Sequence, residues 1–77
     1  MGPIMQLSPL EVDVLGVVAR VEVSCGRMAR FDNAANRAAC RTLDELGLIA
    51  TSVSAAMTIA CMRDDGRAEL ALRAPPR

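Results

Sequence analysis

Ala39-Cys40-Arg41-Thr42-Leu43-Asp44-Glu45-Leu46-Gly47-Leu48-Ile49 reads as the last turns of a helix, a glycine stop and the first residues of a strand. Ala39, Cys40, Leu43 and Leu46 recur at spacings of three and four, which places them on one helical face. Gly47 tolerates the positive φ that ends a helix, and Leu48 and Ile49 resume as an extended apolar pair.

Upstream, Asp32-Asn33 combines turn chemistry with a good helix cap, so the spacing predicts a helix over 33–46. Its inward positions are Ala35, Asn36, Ala39, Cys40, Leu43 and Leu46. Its outward positions are Asn33, Ala34, Arg37, Ala38, Arg41, Asp44 and Glu45. Asn36 on the packed side needs a hydrogen-bond partner. Residues 24–31 are expected to form a short preceding helix, with Ser24 as cap and Met28 and Phe31 turned inward. The first helix opens at Ser8-Pro9-Leu10-Glu11, where a cap, a proline at the first helical position and a capping-box glutamate coincide. From Pro9 to about Val21, Leu10, Val14, Val17, Val18 and Val21 make one apolar stripe, and Val12, Leu15 and Ala19 make a second on nearly the opposite side. A surface helix carries one such stripe. Either this helix is central and buried on both sides, or the second stripe meets another subunit. The β-branched run Val21-Glu22-Val23 also fits a strand.

Downstream, 49–53 and 57–62 read as two strands joined at Ser54-Ala55-Ala56, a turn without Gly, Asn or Asp. Asp64-Asp65-Gly66-Arg67 fits a hairpin turn leading into a strand at 68–72, or an Asp64-capped helix over 65–73. The Ala, Glu, Leu and Arg content favours the helix. Residues 1–7 read as an N-terminal arm, 8–73 as one domain and 74–77 as a frayed tail.

Composition sets further bounds. The chain has 77 residues, 52% of them hydrophobic, with Phe31 the one aromatic, so the core is thin and support from a second subunit is expected. Nine arginines balance nine acids, with no Lys and no His. Between residues 23 and 41, however, Arg27, Arg30, Arg37 and Arg41 stand against Asp32 alone. A local patch of this kind can hold phosphates on a neutral protein. Cys25, Cys40 and Cys61 form no CxxC pair, and without His there is no zinc pattern and no metal site is expected. They read as small buried apolar residues, with a reactive thiol as the alternative. The odd count and the lack of a secretory leader point to a reducing, cytoplasmic setting. No apolar run is long enough for a membrane. Catalysis is not expected: there is no nucleophile–His arrangement and no glycine-rich phosphate loop. The pairs Asp44-Glu45 and Asp64-Asp65 read as solubility and helix-dipole chemistry. No cofactor is expected.

Two stretches resemble the winged helix-turn-helix superfamily of bacterial and phage regulators. Asn36-Arg37-Ala38-Ala39-Cys40-Arg41-Thr42-Leu43-Asp44-Glu45-Leu46-Gly47-Leu48-Ile49 looks like a recognition helix running into its wing. Met62-Arg63-Asp64-Asp65-Gly66-Arg67-Ala68-Glu69-Leu70 is similar to the segment that follows the wing. The resemblance implies an α+β, mainly α fold of three helices plus a two-stranded hairpin wing, with room for a short C-terminal helix. It also implies a cytoplasmic transcriptional regulator, encoded by a phage or plasmid, that reads double-stranded DNA with helix 33–46 as a homodimer. In that arrangement Asn33, Arg37 and Arg41 face the major groove, Arg27 and Arg30 meet phosphates, and Arg63 reaches the backbone. Blander roles stand beside these. Asn33 can simply cap its helix, and Arg37 and Arg41 can pair with Asp44 or Glu45. The alternative function is a non-enzymatic protein-interaction module on the same fold, such as a phage-encoded inhibitor of a host defence complex of the anti-CRISPR kind. Val12, Leu15 and Ala19 are then the expected partner or dimer contact.

Overall fold

A computed structural model describes residues 6–26 and 28–73. The elements run α1 (Pro9–Cys25), β1 (Ala29–Phe31), α2 (Ala34–Glu45), β2 (Ile49–Val53), β3 (Thr58–Met62) and α3 (Asp64–Arg73). The expected arm lies outside the described residues over 1–5, as do Arg27 and the expected tail 74–77.

α1 begins at the capping box. The Glu11 amide donates to Ser8 Oγ at 3.2 Å, and the Ser8 amide donates to Glu11 Oε1 at 2.9 Å. Both predicted apolar stripes contribute to the interior, since Val14, Leu15 and Val18 are all buried. The helix is therefore central, with α2, the sheet and α3 packed against it. Val21-Glu22-Val23 is helical, so its strand reading is set aside. Gly26 ends the helix in the left-handed region at φ 64°, its amide donating to the Glu22 carbonyl at 2.8 Å.

Residues 24–31 do not form the expected second helix. α1 continues through Cys25, and Ala29–Phe31 form β1. The reason is a change of period: Ala29 and Phe31 are buried and Arg30 between them is exposed. Met28, expected inside, is 55% exposed. β1 joins the sheet by pairing with β3, Ala29 opposite Ala60 and Phe31 opposite Thr58.

α2 matches its predicted span to within a residue at each end, capped by Asn33, whose side-chain oxygen accepts from the amides of Ala35 and Asn36 at 2.8 and 3.2 Å. Ala39, Cys40 and Leu43 are buried, whereas Ala35 and Leu46 are exposed and Asn36 is half-buried. Gly47 takes φ 79°, and Leu48 and Ile49 then drop into the core. β2 and β3 form an antiparallel hairpin with Ile49 opposite Met62 and Val53 opposite Thr58.

The sheet order is β1-β3-β2, antiparallel throughout, so the expected two-stranded hairpin is part of a three-stranded sheet. One face turns Ala29, Phe31, Ile49, Ala60 and Met62 to the core. The other leaves Arg30, Ala50, Ser52, Ile59 and Cys61 partly or fully exposed. Asp64-Asp65-Gly66-Arg67 opens α3, with both acids at its positive end, and the alternative strand at 68–72 does not form. The fold is thus a small α+β unit of three helices and a three-stranded sheet. No described helix is long and apolar enough to cross a membrane.

Candidate functional site

The surface that joins α2 to the β2–β3 hairpin carries a connected set of polar side chains. At its centre is Arg37. Its guanidinium donates through Nε to Thr58 Oγ1 at 3.2 Å, through Nη1 to the Ala55 carbonyl at 3.3 Å, and through Nη2 to the Ser54 carbonyl at 2.6 Å. The fork geometry of arginine suits three acceptors converging from one turn. Arg37 was expected to project outward beside Arg41. It instead lies half-buried, fastening the first half of α2 to the hairpin turn. Two turns later, Thr51 Oγ1 donates to Asp44 Oδ2 and fixes the end of α2 to β2. Helix and hairpin are tied at two points.

Between those ties runs a cleft of about 580 Å³, lined by Arg37, Arg41, Asp44, Glu45, Thr51 and Val53 among others. Arg41 stands on its rim with its side chain 83% exposed, its Nε 3.4 Å from Glu45 Oε1. That contact is long and solvated, so it holds Arg41 only loosely. Two arginines and two acids make the cleft neutral. A shallower groove of about 310 Å³ lies between the start of α1 and α2, lined by Leu10, Ala35, Ala38, Ala39 and Thr42.

The other expected site residues disperse. Asn33 is engaged as the cap of α2. Arg30 is exposed on the sheet face directed away from the core. Arg63 is exposed beyond β3, at the end of that strand remote from the hairpin turn. Arg27 lies outside the described residues. Asn33, Arg37 and Arg41 therefore share one helix, while Arg30 and Arg63 lie elsewhere. Of the expected contact stripe, Val12 and Ala19 are half-buried, but Leu15 is fully buried and offers nothing to a partner. Leu15 lies between α1 and the rest of the core because α1 is enclosed on several sides.

Thr58 and Gly66 were not singled out as site or packing residues by the sequence. Thr58 is 2% exposed and supplies the acceptor for Arg37 Nε. A signal existed in the turn Ser54-Ala55-Ala56, whose carbonyls need donors that its own side chains do not provide in full. Away from the cleft, Arg67 bridges Glu22 on α1 and Asp64 on α3. The hydrogen bond that Arg67 donates to Glu22, with the charge of that carboxylate, raises its already high pKa. Glu69, nearly buried, pairs with Arg73 at 2.9 Å. Burial pushes the Cys40 thiol above its ordinary pKa, which suits a core residue and not a nucleophile.

No protein-family model matches the chain, and neither a curated protein nor a solved structure shows significant similarity to it.

Proposed function

We propose that this chain is a small DNA-binding regulator of winged-helix type, which presents α2 and the adjoining hairpin to double-stranded DNA. The observation that carries the proposal is the Arg37 clamp, which makes α2 and the β2–β3 turn one rigid surface. A helix held against a hairpin suits a groove-and-backbone contact, with the helix in the major groove and the turn beside it. α2 has no acid in its first turn, so the positive end of its dipole favours an anion nearby, with the Ala35 and Asn36 amides already held by Asn33. Ala34, Ala35 and Ala38 leave its exposed side low enough for close approach. Arg41 is the residue that reads or clamps, and Arg37 is the residue that positions.

Fluorescence anisotropy with a labelled duplex across rising salt tests the proposal. Binding is expected at low salt and is expected to weaken as salt rises. Arg41→Ala should lower affinity and reduce the slope of log K against log salt by about one. Folded protein that binds no duplex at the lowest salt rejects it.

A second reading, a protein-interaction module on the same framework, is favoured by the neutral cleft and the apolar groove between α1 and α2. Under it, DNA binding is absent, and Ala38→Arg, which places a charge in both clefts, abolishes capture of the partner while the fold is retained.

A further inference from the structure

We propose that the outward face of the three-stranded sheet is a docking surface for an acidic, amphipathic helix of a partner protein. α1 and α2 pack on the other face, which holds Phe31 and Ala60. Strand alternation turns Arg30 of β1, Ile59 and Cys61 of β3 and Ala50 of β2 outward. The register sets Arg30 opposite Ile59, and Cys61 opposite Ala50. Backbone pairing runs one residue past β3, where the Arg63 amide donates to the Leu48 carbonyl at 3.2 Å. Arg63 therefore keeps the alternation and shares a side with Cys61. Met28, two residues before Arg30, is 55% exposed.

The chemistry of this face is one-sided. Residues 49–62 contain no charged side chain, so the hairpin brings no acid to it. Arg41, Arg67 and Arg73 each have a carboxylate partner. Arg30 and Arg63 are exposed and have none among the described residues. Asp32 lies beyond β1, where the chain turns into α2. Between the two cations the half-buried Ile59, Cys61 and Ala50 and the exposed Met28 form an apolar strip.

Charge decides the occupant. A second copy laid face to face would bring two more arginines to the same surface. Duplex DNA offers phosphates but no apolar surface for Ile59 and Met28, and the face has no aromatic side chain on which unpaired bases stack. An amphipathic helix supplies both parts. Arg63 stands four residues along β3 from Ile59, the partner of Arg30, which is about 13 Å. On a helix laid along β3, carboxylates seven residues apart share a face at about 10.5 Å, within the reach of two long arginine side chains. Apolar residues at the third and fourth positions between them cover Ile59 and Cys61. A face of this size is smaller than a standard interface, so binding in the micromolar range is expected.

The test is an NMR titration of the full chain without DNA, so its outcome is independent of the DNA proposal. The probe is a synthetic helical peptide with glutamate at its fourth and eleventh positions, leucine at its seventh and eighth, and alanine and glutamine elsewhere. The control peptide carries arginine in place of both glutamates. Saturable shifts of the Arg30, Ile59 and Cys61 amides are expected with the first peptide and not with the second, while the α2 amides stay in place. Arg30→Glu combined with Arg63→Glu alters two exposed positions and should leave circular dichroism native. It should weaken the acidic peptide by about tenfold or more and admit the basic one. No saturable shift at millimolar peptide overturns the proposal, as does equal binding of both peptides by the wild type. Shifts of the same residues that follow a DNA duplex, or the concentration of the chain itself, in place of the peptide also overturn it.

Discussion

Gly66 lies against the backbone of Leu48: a Cβ at position 66 would stand 2.1 Å from the Leu48 carbonyl oxygen and 3.0 Å from its carbon. The same carbonyl accepts from the Arg63 amide, so it cannot swing away without loosening the junction of β3 and α3. An alanine in a helix normally stabilises relative to glycine by roughly 1 kcal/mol. Here the sign reverses. Gly66→Ala is expected to destabilise by about 1–3 kcal/mol through overpacking, read as a lower urea midpoint. An unchanged or raised midpoint would show that α3 can shift without cost.

Arg37 makes a separable contribution. Replacing it with Ala removes three hydrogen bonds and leaves the buried Thr58 hydroxyl without its donor. A loss of roughly 1–3 kcal/mol is expected, together with faster amide exchange at Ser54 and Met57. Arg37→Lys keeps the charge but not the fork, so it should recover little of the loss. Full recovery by lysine would mean that charge, not geometry, holds the turn.

Leu15 distinguishes a core role from a contact role. Leu15→Ala should cost about 2–5 kcal/mol. Leu15→Glu should abolish the native circular dichroism spectrum, because a carboxylate at a fully buried position has no partner. A folded Leu15→Glu protein with altered mass would restore Leu15 to an interface.

Cys40 links stability to pH. Its folded-state pKa is raised by burial, so the native state keeps the proton longer than the unfolded chain does. The contribution is complete below the unfolded thiol pKa of about 8.5 and is lost as pH rises from there through the folded value. In a background with Cys25 and Cys61 replaced by Ser, the unfolding free energy is expected to decline above that pH. Adding Cys40→Ala should flatten the decline, and an equal slope in both proteins would remove Cys40 as its cause.

Much of the fold was legible because its signals are local. The Ser8–Glu11 box, the Asn33 cap and the Gly47 stop each act within one or two turns, and each appears where the residues place it. Leu43 and Cys40 follow from helical spacing, and the hairpin from its two apolar runs. β1 was read as helix because three residues, Ala29-Arg30-Phe31, are too short for a period to declare itself against the capping chemistry of Ser24. Gly26, one residue past the end of α1, carries the stop signal.

The candidate surface divides in the same way. Spacing along one chain segment is enough to put Asn33, Arg37 and Arg41 on one helix. Packing between distant segments is what clamps Arg37 to Ser54, Ala55 and Thr58, sets Arg30 and Arg63 apart from it, and places Leu15 in the interior. The physical reason is range. Caps and stripes are set by neighbours within a turn, whereas the pairing of Ala29 with Ala60 and the capture of Arg37 by a turn 17 residues away depend on segments that meet only after the chain has folded.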